Sequence, residues 1–213
     1  IRLSLVGSEM CIRDSHYTGL LFAYFAMVDL AKLKAGQHVL ITEACHCLAP
    51  QSVQLAKALG ANVIVSTSVS GSREFLRELG ADKIIFTEEQ DLVLEVERYT
   101  EGKGAEVILD HCAGQQLKLL GDVAATRGKL ILYGLNGGND TAFPACAAFK
   151  KHLQFFRHCV LDFTGHSELG IEQDHAAVQR ARDHINMLTA DGLLKPRIDL
   201  SLIHISEPTR LRR

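Results

Sequence analysis

The stretch QLAKALGANVIV, residues 54–65, carries three structural signals in succession. Its first residues suit the end of an amphipathic helix, Gly60 stands where a left-handed cap closes such a helix, and the NVIVST that begins at Asn62 is rich in strand-favouring β-branched residues. Working outward, the same order recurs. Short apolar runs at residues 38–42 (HVLIT), 62–67 (NVIVST), 83–87 (KIIFT), 106–110 (EVILD) and 129–133 (KLILY) predict five strands. Helical segments at residues 51–59, 72–79, 91–99 and 115–125 lie between them, and Gly60, Gly80, Gly102 and Gly128 follow those segments. Strands that read as continuous apolar runs and alternate with helices specify βαβ units and a parallel sheet covered on both faces. The fold class is therefore α/β, a doubly wound parallel sheet of the Rossmann type, whose ligands sit outside the carboxyl ends of the strands.

Flanking segments extend the pattern. Residues 19–33 read as a helix before the first strand, residues 134–140 (GLNGGND) as a turn-rich loop, and residues 152–164 as strand-like. Residues 173–191 place apolar side chains at 177, 181, 185 and 188, one face of a helix that Gly192 and Pro196 stop. Phe149, Phe155, Phe156 and Phe163 are expected in the core.

Composition narrows the function classes. The 213 residues are 47% hydrophobic and 23% charged, the balance of a soluble chain with a sizeable core. The formal net charge of −2 supplies no basic excess for a phosphate backbone, so a nucleic-acid partner is not expected. The apolar run that starts at Leu20 stops at Asp29, well short of the roughly 20 residues of a membrane span. Six unevenly spaced cysteines suit reduced thiols and a cytoplasmic setting rather than a disulfide framework.

The ends read differently from the middle. SLVGSEMCIRDS (residues 4–15) and SLIHISEPTRLRR (residues 201–213) resemble translated sequencing-adaptor read-through. Residues 1–15 and 201–213 are accordingly expected to be artefactual or disordered ends around a domain at 16–200, and the chain to be a fragment.

Five motifs in order carry a family resemblance: the segment ending LKAGQHVLIT (residues 31–42), QLAKALGANVIV (54–65), RELGADKII (77–85), GKGAEVILDHCAG (102–114) and GKLILYGLNGG (128–138). Together they resemble the cofactor-binding domain of the medium-chain dehydrogenase/reductase superfamily, in its quinone-oxidoreductase-like and zinc-type alcohol-dehydrogenase-like branch. The resemblance implies a nicotinamide cofactor and hydride transfer to or from a small alcohol, carbonyl, quinone or activated alkene. It also implies a GroES-like catalytic domain outside this chain, zinc in the parent protein only if at all, and room for a homodimer of that parent. The chain alone is then expected to be inactive.

The phosphate loop departs from the family pattern. The turn after the first strand reads EACHCLAPQ, with Glu43, His46 and Ala49 where three glycines would let backbone amides approach a pyrophosphate. Ala44, Cys45, His46, Cys47 and Leu48 are the candidates for those backbone contacts. The alternative is a degenerate turn in a non-catalytic module that binds no cofactor. Cys45, His46 and Cys47 are too close together to converge on one tetrahedral ion, and His111 with Cys112 forms the other pair, so no metal site is assigned.

The end of the second strand bears on cofactor choice. It reads STSVSGSR without an acid, which favours a 2′-phosphate over a free ribose hydroxyl. Ser66, Thr67, Ser68 and Arg73 are the candidate contacts, and NADP is preferred to NAD. After the fourth strand Asp110, His111 and Gly114, and after the fifth Tyr133, Gly134 and Asn136, are read through the resemblance as walls of the nicotinamide-ribose pocket. Phe22, ahead of Ala23 and Tyr24, stands where the family has a threonine, and no catalytic residue is nominated.

Overall fold

The computed structural model describes residues 17–45 and 48–195. The expectations for both ends, and those for His46 and Cys47, lie outside the described residues.

Residues 17–24 form helix α1, which runs on into a π-helical turn at Phe25–Leu30. There follow β1 (His38–Ile41), α2 (Ala49–Ala58), β2 (Asn62–Thr67), α3 (Arg73–Glu78), β3 (Lys83–Phe86), α4 (Leu92–Tyr99) and β4 (Ala105–Asp110). The chain continues through α5 (Gln116–Val123), β5 (Ala124–Leu132), α6 (Ala145–Lys151), β6 (Gln154–Arg157), α7 (Leu161–Thr164) and α8 (His175–Ala190). The strands form one parallel sheet in the order β3-β2-β1-β4-β5-β6.

Alternation along each strand explains why the sheet reads as continuous apolar runs. Val39, Ile41, Val63, Val65, Val107 and Leu109 enter one core with α1, α2 and α8. Leu40, Ile64, Ile85, Ile108 and Leu130 point the other way, into a second core with α4 and α5. Neither face meets water, so neither needs polar residues. Each fully buried aliphatic contributes about 1.5–3 kcal/mol. Gly60 and Gly80 take φ of +79° and +103°, the left-handed geometry that their helix-ending positions called for.

Four expectations need correction. The first helix ends at Leu30, short of residue 33, because Lys32 turns left-handed at φ 54°. The helix expected over 115–125 stops at Val123, and β5 begins at Ala124, five residues before the run at 129. Its register with β4 shifts between Ala105 and Val107, and Arg127, not Gly128, takes the positive φ, at 62°. Only Gln154–Arg157 of the strand-like 152–164 is a strand; it adds a sixth to the sheet, and residues 161–164 turn helical.

Phe149 is the fourth correction. It is 83% exposed on α6, a short alanine-rich helix that buries none of its residues. This helix is held from its end instead, where the Lys151 ammonium donates to the carbonyls of Gly121, Asp122 and Ala124 at 3.2, 2.6 and 2.8 Å. Phe163 does join the core, stacking on Phe25 at 4.1 Å with the rings nearly parallel. Among the described residues no helix is long and apolar enough to cross a membrane.

Candidate functional site

From β1 the chain proceeds outward to β2 and β3, then crosses to β4 on β1's other side. That reversal leaves a crevice at the carboxyl ends of β1 and β4. A cavity of about 460 Å³ opens there. Glu43 after β1 forms one wall, Cys112, Ala113, Gln115 and Gln116 of the β4–α5 turn the floor, and Asn136 and Gly137 after β5 the far side.

Asp110 shapes the floor. Its side chain is fully buried, and the Thr42 hydroxyl donates to Oδ1 at 2.7 Å. The amides of Cys112 and Ala113 donate to Oδ1 and Oδ2 at 3.3 and 2.7 Å. Thr42 in turn accepts from the His111 amide at 3.2 Å, tying the ends of β1 and β4 together. With both oxygens in hydrogen bonds, Asp110 folds the turn. Ala113 and Gly114 follow at φ of 54° and 60°, which curls the chain back over the carboxylate. In sequence Thr42 stands only as the last residue of the apolar run at 38–42, since its partnership with Asp110 spans 68 positions.

The loop after β5 closes onto this turn. Gly137 donates its amide to Cys112 O at 2.7 Å, Asn136 to His111 O at 3.4 Å and Tyr133 to Asp110 O at 2.9 Å. The Asn136 amide group also meets His111 Nδ1 at 3.2 Å. Gly114 donates to Thr141 Oγ1 at 3.1 Å. Asp110, His111, Gly114, Tyr133, Gly134 and Asn136 are thus gathered into two interlocked turns.

Beyond Tyr133 the carboxyl ends of β5 and β6 carry an aromatic wall. Phe22 of α1 packs on Tyr133 at 4.8 Å and on His158 at 4.6 Å, while His111 lies 5.3 Å from Tyr133. His158 is 4% exposed and donates from Nε2 to Phe22 O at 2.9 Å. Its Nδ1 is buried with no hydrogen-bond partner among the described residues. Burial therefore pushes the imidazole below the ordinary histidine range, against the hydrogen bond to Phe22, which acts upward.

This predicts an acid-sensitive fold. Below the unfolded-state value of 6.5 the unfolded chain takes up a proton that the folded one refuses. Stability should hold above that pH and fall as pH drops, by up to about 1.4 kcal/mol per pH unit until the folded value is passed. Urea denaturation of wild type and His158→Gln between pH 7.5 and 5 tests this, and an equally steep fall in the variant would refute it.

On the other flank, Glu43 takes a left-handed φ of 46°, and Ser68 donates its hydroxyl to Glu43 Oε2 at 3.2 Å. Ala44 is buried, with its amide donating to Ser66 O at 3.0 Å, and the Cys45 thiol accepts from Thr67 Oγ1 at 3.5 Å. Leu48 precedes α2, whose second residue, Pro50, has no amide hydrogen to offer. Ser66 and Thr67 are fully buried, leaving Ser68 and Arg73 on the surface. The Arg73 guanidinium lies 4.6 Å from the Phe86 ring centroid, a cation–π contact.

Burial pushes the Cys112 thiol up to about 11, with Asp110 and Glu43 adding to the effect, so it stays protonated at neutral pH. Among the described residues no three His, Cys, Asp or Glu side chains are grouped to hold a metal ion.

The sequence model of the zinc-binding dehydrogenase family matches residues 51–169. Highly reducing polyketide synthase 40 of Fusarium mangiferae is 32% identical over 136 residues, covering 62% of this chain and 6% of that protein. Among solved structures, Escherichia coli quinone oxidoreductase complexed with NADPH superposes with a TM-score of 0.73 at 22% identity, over 86% of this chain and 54% of that one. CurK enoyl reductase gives 0.69 at 22% identity, over 84% and 51%. The chain thus spans less than a tenth of this curated relative and about half of each solved chain.

Proposed function

As the chain belongs to the zinc-binding dehydrogenase family, we propose that it is the nicotinamide-cofactor half of an oxidoreductase, with NADP the favoured cofactor. The reaction is hydride transfer to or from a small alcohol, carbonyl, quinone or activated alkene. The observation that carries this reading is the cavity between Glu43 and the β4 and β5 turns, at the one point where the strand order reverses.

The position of the site, at the strand-order reversal, is the one where this sheet type takes nucleotide cofactors. The cavity's roughly 460 Å³ lies in the range of small-molecule sites. The N-terminus of α2, favourable to anions, is the first helix start after β1 in the chain. Ser68 and Arg73 supply a hydroxyl and a cation at the end of β2. Among the described residues no group of His, Cys, Asp or Glu side chains is placed to hold zinc. A bound nicotinamide supplies the hydride donor or acceptor. The chain's part is positional, with Thr42 and Asp110 fixing the β4–α5 turn while Phe22, Tyr133 and His158 keep water from the ends of β5 and β6. In this reading a GroES-like domain outside these residues holds the substrate.

A second reading, a Rossmann module that binds no cofactor, is favoured by the Glu43 carboxylate on the cavity wall. Calorimetric titration of the 213-residue chain with NADPH and NADH separates the two. Binding of both with NADPH tighter is the expected result. Silence with both would establish the second reading, and tighter NADH would overturn the cofactor choice. Hydride transfer needs substrate within about 3–3.5 Å of the nicotinamide, so the chain alone should bind without turnover. Robust NADPH oxidation with a quinone or aldehyde would refute that.

A further inference from the structure

We propose that Glu43 is a specificity-determining residue of the dinucleotide site, one that weakens the hold on a 2′-phosphorylated cofactor relative to its unphosphorylated form. The proposal rests on the nicotinamide-cofactor reading above and adds what that reading lacks, the group that sets the balance between the two cofactor forms.

In a doubly wound sheet the adenosine ribose is read at the end of β2, where an acid accepts from a free 2′-hydroxyl and repels a 2′-phosphate. By sequence β2 ends in Ser66 and Thr67 and is followed by Ser68, with no acid. The fold supplies one from the neighbouring strand. Glu43 leaves β1 beside β2, and its Oε2 accepts from Ser68 Oγ at 3.2 Å. The carboxylate that β2 does not encode is thus held on the hydroxyl that directly follows β2.

The same side chain borders the cavity. It is therefore positioned between the crevice and the end of β2, on the route along which a dinucleotide's phosphates and ribose would lie. Among the residues lining the cavity, Glu43 is the charged one, beside Cys112, Ala113, Gln115, Gln116, Asn136 and Gly137. Arg73, the cation expected to favour a 2′-phosphate, has its guanidinium over the Phe86 ring. Negative charge in the crevice is already felt by Cys112, whose thiol Asp110 and Glu43 both push upward.

The backbone adds a second, independent observation. Glu43 sits at φ 46°, a conformation in which glycine is at ease and other residues are strained. Glycine is therefore accepted by the turn, and Glu43→Gly removes the charge while relaxing the backbone, whereas Glu43→Gln removes the charge alone.

The experiment is calorimetric titration of the full chain, wild type, Glu43→Gln and Glu43→Gly, with NADPH and with NADH at low and high salt. Both variants should bind NADPH about tenfold more tightly relative to NADH than wild type does, the size expected for one partly screened charge near a phosphate. The gain should shrink as salt rises. A ratio unchanged in both variants, or NADPH and NADH affinities rising in equal proportion, would overturn the role in discrimination while leaving cofactor binding intact. A shift in Glu43→Gly alone would assign the effect to backbone relaxation and likewise overturn it. If wild type and both variants bind neither cofactor, the nicotinamide reading itself fails, and this inference with it.

Discussion

Replacing Asp110 with alanine is expected to cost about 2–4 kcal/mol of folding stability, because it strands buried donors rather than merely deleting bonds. The carboxylate is fully buried and accepts from Thr42 Oγ1, the Cys112 amide and the Ala113 amide. Thr42 can turn its hydroxyl toward Leu109 O, which already lies 3.4 Å away, so its share of the loss is small. The Ala113 amide, in a residue 1% exposed, has no such recourse. Leaving it unpaired costs about 1–3 kcal/mol, and the partly buried Cys112 amide adds less. The vacated volume adds a cavity penalty. Asp110→Asn keeps the shape and one acceptor oxygen and should lose roughly half as much. Chemical denaturation decides the matter, and a loss below about 1 kcal/mol in the alanine variant would mean that the turn is held by something other than this carboxylate.

The same residue marks how far the sequence could be read. The strands were legible because both faces of the sheet are buried, which leaves β-branched runs such as NVIVST without a polar interruption. The helix ends at Gly60 and Gly80 were legible because left-handed backbone singles out a residue type. Helix α6 was not, since ACAAFKK is apolar without interruption up to Phe149 and so shows no helical periodicity, and its anchor is one lysine reaching three carbonyls roughly thirty positions away. The start of β5 was hidden by a register shift, and a periodicity that runs through 124 and 125 reads equally well as helix.

At the site, position was legible and partnership was not. Asp110 ends a strand and Gly114, Gly134 and Asn136 follow one, and a strand's carboxyl end is visible in sequence. That Thr42 locks Asp110, or that Glu43 reaches Ser68, depends on which strands become neighbours. The order β2-β1-β4 decides both, and local pattern is silent about order.

Gly134→Ala should be among the most damaging single methyl additions in the protein, lowering stability by about 3 kcal/mol, at the upper end of overpacking costs. A Cβ there would stand 2.2 Å from the His111 carbonyl oxygen and 2.4 Å from its Cδ2. A flexible side chain could yield, but the carbonyl belongs to the β4 turn and cannot move alone. It accepts from the Asn136 amide, and its neighbour Asp110 O accepts from Tyr133. Relief therefore requires the two turns to part, which would open the Gly137 amide's 2.7 Å bond to Cys112 O as well. Those turns supply the floor and far wall of the cavity, so cofactor affinity should fall together with stability. Gly138→Ala is the control. Its φ of +92° strains any side chain, yet a Cβ there meets nothing within 4 Å. Strain alone predicts about 1 kcal/mol and an unaltered cavity. Thermal denaturation and NADPH titration of both variants distinguish the causes. Equal losses in the two would mean that backbone conformation, and not the contact between the turns, is what the glycines of this loop protect.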